Sequence, residues 1–270
     1  VGVYKFIAVT LLIPAALASQ SPPIHALPDG VMFEFSNIAD LFASRLVAAF
    51  DSIPAERYGY APTPAQQSIG YIAQHLETAN YSLCGRFGAL KHSATTKDEL
   101  PDTVKARWPK DTLVARLDAS LRFCDAALAG MAHLNSAAVA NDLLSFETDL
   151  AEHYSQVSNY MRSLGLVPPS ALPPRTRNAI ELPRSALSQY VGMYELAEGV
   201  NLEVTLRDGV LMIRSTIGGP AVPTSPESVS DFFVNGSNTE FTFTRDASGK
   251  ITGLIIHQYG RDRTARRLRS

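Results

Sequence analysis

Apolar residues in the first part of the chain recur every three to four positions, the period of a helix with one buried face. Ile38, Leu41, Phe42, Leu46 and Phe50 form the first such stripe, with Ser36 or Asn37 as its cap, and it stops before Pro54. Residues 57–64 carry two prolines, and residues before proline avoid the helical region, so an extended crossing segment is expected there. A second helix is expected from Pro64, capped by Thr63, with Ile69, Ile72, His75, Leu76, Ala79 and Leu83 on or beside one stripe. The third runs from about Lys110 to Ala132, with Leu113, Leu117, Leu121, Cys124 and Leu128 on one face. The fourth runs from about Ala137 to Leu164 and stops at Gly165, ahead of Pro168 and Pro169. Amphipathic helices of this number and length have one common packing solution, an up-down four-helix bundle.

The period changes to two after a Pro-, Ser- and Arg-rich stretch. Residues 200–206 alternate, Arg207-Asp208-Gly209 turns the chain, and residues 210–214 return. Further short strands are expected at 232–234, 240–244, 251–257 and 263–268, which together predict a small antiparallel β-barrel. The fold class is therefore α+β in two domains. The boundaries are a bundle over 30–166, a linker over 167–181 and a barrel over 182–270. Arg261, Arg263, Arg267 and Arg269 alternate on the last strand and read as a solvated edge. His257 reads as an outward polar strand residue.

Residues 1–18 carry Lys5, an apolar run from Phe6 to Leu17 and the small-x-small sequence Ala16-Leu17-Ala18. This is the pattern of a signal peptide, and the run is shorter than the roughly 20 residues needed to cross a bilayer. Export to the periplasm or beyond is expected, with no membrane span once the leader is cleaved. An oxidising compartment permits a bridge between Cys84 and Cys124, the only two cysteines; the alternative is a pair of buried free thiols. The formal net charge of −2 gives no reason to expect a nucleic-acid partner. A small-molecule ligand is the expected partner, and a homodimer stays open.

The candidate chemistry lies on the second and fourth helices. Asp149 and His153 are four residues apart and share a helix face, and His75 joins them if the second helix lies opposite. Three N/O ligands with open positions suit zinc or nickel, although an isolated histidine in a helical core is more often only a hydrogen-bonded residue. The segments Tyr58–Pro64, Ser68–Gly70 with His75, Glu152–Gln156, Tyr160–Arg162 and Gly165–Pro169 resemble the DinB/YfiT-like family over roughly residues 35–170. The resemblance implies a divalent metal held by three histidines, one matching His75 and two lying four apart on the last helix. The later of that pair matches His153, and the earlier falls on Asp149. A carboxylate there either keeps the triad as two His and one Asp or marks a site that has decayed. The resemblance further implies a hydrolase or a thiol-dependent transferase or isomerase; the alternative is a non-catalytic ligand- or partner-binding protein. Neither Glu147 nor Glu152 is placed as a general base, and Tyr154 reads as packing.

Residues 182–268 resemble a lipocalin-like domain found after β-lactamase-type serine hydrolases, through Tyr190–Glu195, Arg245–Leu254 and His257-Gln258. The hydrolase motifs Ser-x-x-Lys and Gly-x-Ser-x-Gly do not occur in the chain.

Overall fold

Four long helices, α1 (Val31–Ser52), α2 (Ile69–Phe87), α4 (Lys110–Ala129) and α5 (Ala137–Ser163), form most of the helical region, with a short α3 at Asp102–Lys105 between them. The computed structural model describes residues 30–131 and 136–269; the leader expected over 1–18 lies outside them. The apolar stripes meet in one core, where Leu46, Phe50, Ile72, Leu76, Leu117 and Leu150 are fully buried. Burying each such side chain contributes about 1.5–3 kcal/mol.

Two helix starts differ from the sequence reading, both for tertiary reasons. α1 begins before Ser36, at Val31, without a side-chain cap. Gly30 stands in a left-handed conformation (φ 92°), and a Cβ on it would lie 2.8 Å from the Ile217 side chain of the barrel, so a packing contact sets this start. α2 begins at Ile69 and not near Pro64. Ser68 Oγ accepts from the Tyr71 amide at 3.2 Å, while Thr63 closes a separate turn with Gln66. The crossing segment also starts later than expected, because Ala55–Arg57 forms a 3-10 turn.

Gly70 marks a close approach. A Cβ there would sit 2.2 Å from the Ala106 carbonyl oxygen, so α2 and the segment after α3 touch backbone to backbone. Gly70→Ala is expected to cost about 2 kcal/mol, the scale of an overpacked core. Urea unfolding followed through Trp108 checks this, and an unchanged midpoint would count against the contact.

Cys84 on α2 and Cys124 on α4 are joined in a disulfide with Cα atoms 5.1 Å apart, which decides between the two thiol readings.

A linker with a 3-10 turn at Pro169–Ala171 and a one-turn α6 (Arg184–Leu187) leads into a closed antiparallel barrel of eight strands in sequential order. The strands are β1 (Gly192–Ala197), β2 (Val200–Arg207), β3 (Val210–Ser215), β4 (Gly218–Pro226), β5 (Asp231–Val234), β6 (Glu240–Arg245), β7 (Ile251–Gln258) and β8 (Arg261–Arg267). Alternate residues point inward, and the interior is filled by side chains including Leu202, Val204, Phe241, Leu254 and Ile256. Tyr190, Tyr194, Phe232 and Phe243 pack as an aromatic group with ring centroids 4.6 to 5.7 Å apart.

β8 is not an edge, because it pairs with both β7 and β1. Its arginines are engaged and not free. Arg267 lies over Tyr194 and donates to the Gln189 and Val191 carbonyls. Arg261 and Arg263 reach the helical region. Both meet Asp40 of α1, Arg261 also meets Asp125 of α4, and Arg263 donates to Asn37 at 3.0 Å while lying over Phe33. His257 bridges Thr242 and Asp262 at 2.9 and 2.7 Å. No described helix is long and apolar enough to cross a membrane.

Candidate metal centre

His75 occupies the seam where α2 faces α5, one helical turn after Tyr71. Asp149 and His153 face it from α5, on the face that their four-residue spacing selects. Asp149 Oδ1 lies 3.7 Å from His75 Nε2 and 3.4 Å from His153 Nε2, and the two rings stand edge to face with centroids 4.9 Å apart. All three ligand atoms lie within 4.8 Å of one another. Ligands about 2.1 Å from a tetrahedral ion stand about 3.4 Å apart, so the two carboxylate–imidazole separations are close to what zinc requires.

Exposure grades across the triad. The His75 side chain is 37% exposed, Asp149 21% and His153 10%, so solvent and solutes reach the group from the His75 side. The second oxygen of Asp149 is buried without a hydrogen-bond partner. A buried acceptor without a donor is costly unless a cation meets it, and this atom fits a metal better than it fits a lone ion pair.

The rest of α5 orients the deeper histidine. His153 Nδ1 lies 3.0 Å from Gln156 Oε1, and the Gln156 amide nitrogen donates to the Tyr160 hydroxyl at 3.0 Å. Tyr160 is in turn braced edge to face by Tyr60, with centroids 5.9 Å apart. Because the glutamine oxygen only accepts, Nδ1 carries a proton; Nε2 donates toward Asp149 in the ion pair and is the nitrogen that would turn its lone pair to a metal. Burial alone would raise the Asp149 carboxyl, but hydrogen bonds and charge from His153 and His75 hold it at about 2. Burial opposes the charged form of His153, and Asp149 with Gln156 outweighs it, so its pKa lies above the ordinary value.

The other residues named from sequence fall elsewhere. Glu147 leaves the far side of α5, near Asp40, with both carboxylate oxygens buried and unpartnered. Burial and the Asp40 charge push it up to about 8. Glu152 borders a shallow surface depression of about 300 Å³ that Asp149 also touches. Tyr154 packs on Phe42 and accepts from the Ser170 amide at 2.8 Å, a packing role that also pins the linker. Gln156 had no assigned role in the sequence, although its position three residues after His153 on one helix face is the signal that finds it.

Residues 176–267 match the family model described as a domain of unknown function, DUF3471. The match covers all eight barrel strands and the end of the linker, and leaves the helical region outside it. No curated protein is significantly similar to the chain.

Proposed function

We propose that this chain is an exported, divalent-metal-dependent enzyme, a hydrolase or transferase acting on a small molecule in the periplasm or outside the cell. On this reading residues 30–166 are a DinB-like up-down four-helix bundle, 167–181 a linker and 182–270 a lipocalin-like barrel. His75, Asp149 and His153 hold zinc or nickel. The observation that carries the reading is the convergence of two imidazole Nε2 atoms on one carboxylate oxygen, with the second oxygen buried and unpartnered. A bound divalent ion supplies Lewis-acid polarisation at that point. The chain's own part is orientation: Gln156 holds the His153 ring and its tautomer, Tyr160 and Tyr60 hold Gln156, and the exposed side of His75 admits the substrate. The Cys84–Cys124 disulfide fits an oxidising compartment.

The competing reading is a non-catalytic binding protein with a decayed site. It requires Asp149 to turn outward or pair with a Lys or Arg, yet its ionic partners among the described residues are the two histidines. It also has the barrel hold an apolar ligand or a partner, and for a ligand the interior is occupied by the chain's own aromatic and aliphatic side chains.

Elemental mass spectrometry of the wild type and of Asp149→Ala tests the proposal, with circular dichroism as the check that the variant folds. About one zinc or nickel per wild-type chain, absent from the variant, is expected. A wild-type chain that stays empty after loading with both ions would overturn the metal reading.

A further inference from the structure

One helical turn before His75, α2 borders an open cleft of about 740 Å³. One wall is Tyr58, Gly59, Ser68 and Tyr71; the other is the segment from Thr103 to Asp111, which carries Arg107 and Trp108. The size lies within the range of small-molecule sites.

The walls are held in place before any ligand arrives. The Gly70 amide donates to the Tyr58 carbonyl at 2.8 Å, and the Tyr58 hydroxyl donates to the Phe50 carbonyl at 2.6 Å. Gly70 also lets the backbone at Ala106 rest directly on α2. Trp108 packs against the Arg116 guanidinium, 4.8 Å from the ring centroid, and Arg116 is itself tied to Glu77 and Asp98. A pre-formed cleft avoids much of the ordering cost of binding.

The charges in the cleft are unequally matched. Lys110 is engaged with Asp51. Asp111 lies toward Tyr58, where burial first and then Asp51 and Asp111 raise the phenol and keep it neutral. Arg107 is exposed and takes part in no ion pair among the described residues. An unpaired guanidinium presents a planar fork suited to a carboxylate or phosphate, and it stands beside an indole and a phenol.

We propose that this cleft binds an organic anion with a flat ring, the anionic group on Arg107 and the ring between Trp108 and Tyr71. Its relation to catalysis rests on the metal-centre reading above: the cleft would then hold the part of the substrate that lies about one turn, roughly 6 Å, from the triad. The binding itself does not depend on that reading.

Trp108 is the only tryptophan and lines this cleft, so its fluorescence reports binding there under native conditions. The full chain is titrated with benzoate and phenyl phosphate as probes, with benzyl alcohol and benzylamine as neutral and cationic controls. Saturable quenching by the two anions is expected, about tenfold weaker in Arg107→Ala and unchanged in Asp149→Ala. Equal binding of the alcohol or the amine, or no saturation by either anion at millimolar concentration, would overturn the proposal. So would loss of anion binding in Asp149→Ala, because the probe would then sit at the triad. An empty metal centre with anion binding intact would remove the metal reading and leave the cleft standing.

Discussion

Glu147→Gln is expected to stabilise the helical region by about 3 kcal/mol at pH 8 and to change it little at pH 5. Both carboxylate oxygens of Glu147 are buried without partners, and burial with the Asp40 charge pushes its pKa from 4.5 up to about 8. Asp40 is matched by Arg261 and Arg263, so Glu147 is the member of the pair without a cation. Between pH 4.5 and 8 the unfolded chain has released this proton and the folded chain has kept it. Stability is therefore fully present below the lower value and falls as pH rises toward the upper one. Each pH unit is worth up to about 1.4 kcal/mol; the side chain is half-buried, and water screening reduces the sum over the window to about 3 kcal/mol. Glutamine keeps the shape and removes the ionisation. Urea unfolding followed through Trp108 from pH 5 to 8.5 tests this, and parallel pH profiles for the two proteins would refute it.

Reduction of the Cys84–Cys124 disulfide is expected to cost the helical region about 4 kcal/mol. The bond closes a loop with a sequence separation of 40, and the chain-entropy account gives about that figure for a loop of this length. Both cysteines lie in the core shared by α2 and α4, which adds the loss of close packing if the sulfurs separate. The barrel contains no cysteine and should unfold at the same urea concentration with or without dithiothreitol. Trp108 fluorescence and barrel-specific proton resonances separate the two transitions. Coincident Trp108 curves for the oxidised and reduced protein would rule out the loop-closure account.

The helices were legible because each has one apolar face, and a face of spacing three to four needs no partner to be recognised. Their ends were less so. The start of α1 depends on Gly30 meeting Ile217, and no local signal carries a contact between positions so far apart in the chain. β4 escaped notice because Gly218-Gly219-Pro220 and two further prolines show no alternation; Pro220 falls at the irregularity between Ile213 and Ser215, while Pro223 and Pro226 stand in register opposite Met212 and Phe232. The barrel was expected from its short strands, but the β1–β8 pairing that closes it was not carried through to the last strand, which was read as an edge. In the site, the spacing of Asp149 and His153 was local and readable, and His75 joined them through resemblance and helix pairing. The anion cleft was not readable, since its walls come from segments around Tyr58, Tyr71 and Arg107 that meet through tertiary contacts such as Gly70 with Ala106 and Tyr71 with Asp102.

The arginine pair at the barrel mouth has a consequence for which domains can pack against this barrel. Arg261 and Arg263 are answered by Asp40 and Asp125, which belong to a different part of the chain. A guanidinium removed from water without its carboxylate is strongly destabilising. A different domain packed over this mouth must therefore supply acids there or leave the arginines in water. Across natural relatives, a neutral residue at the position of Asp40 should be accompanied by a neutral residue at that of Arg263. The last strand of the barrel thus carries the charge complement of the acids on α1 and α4.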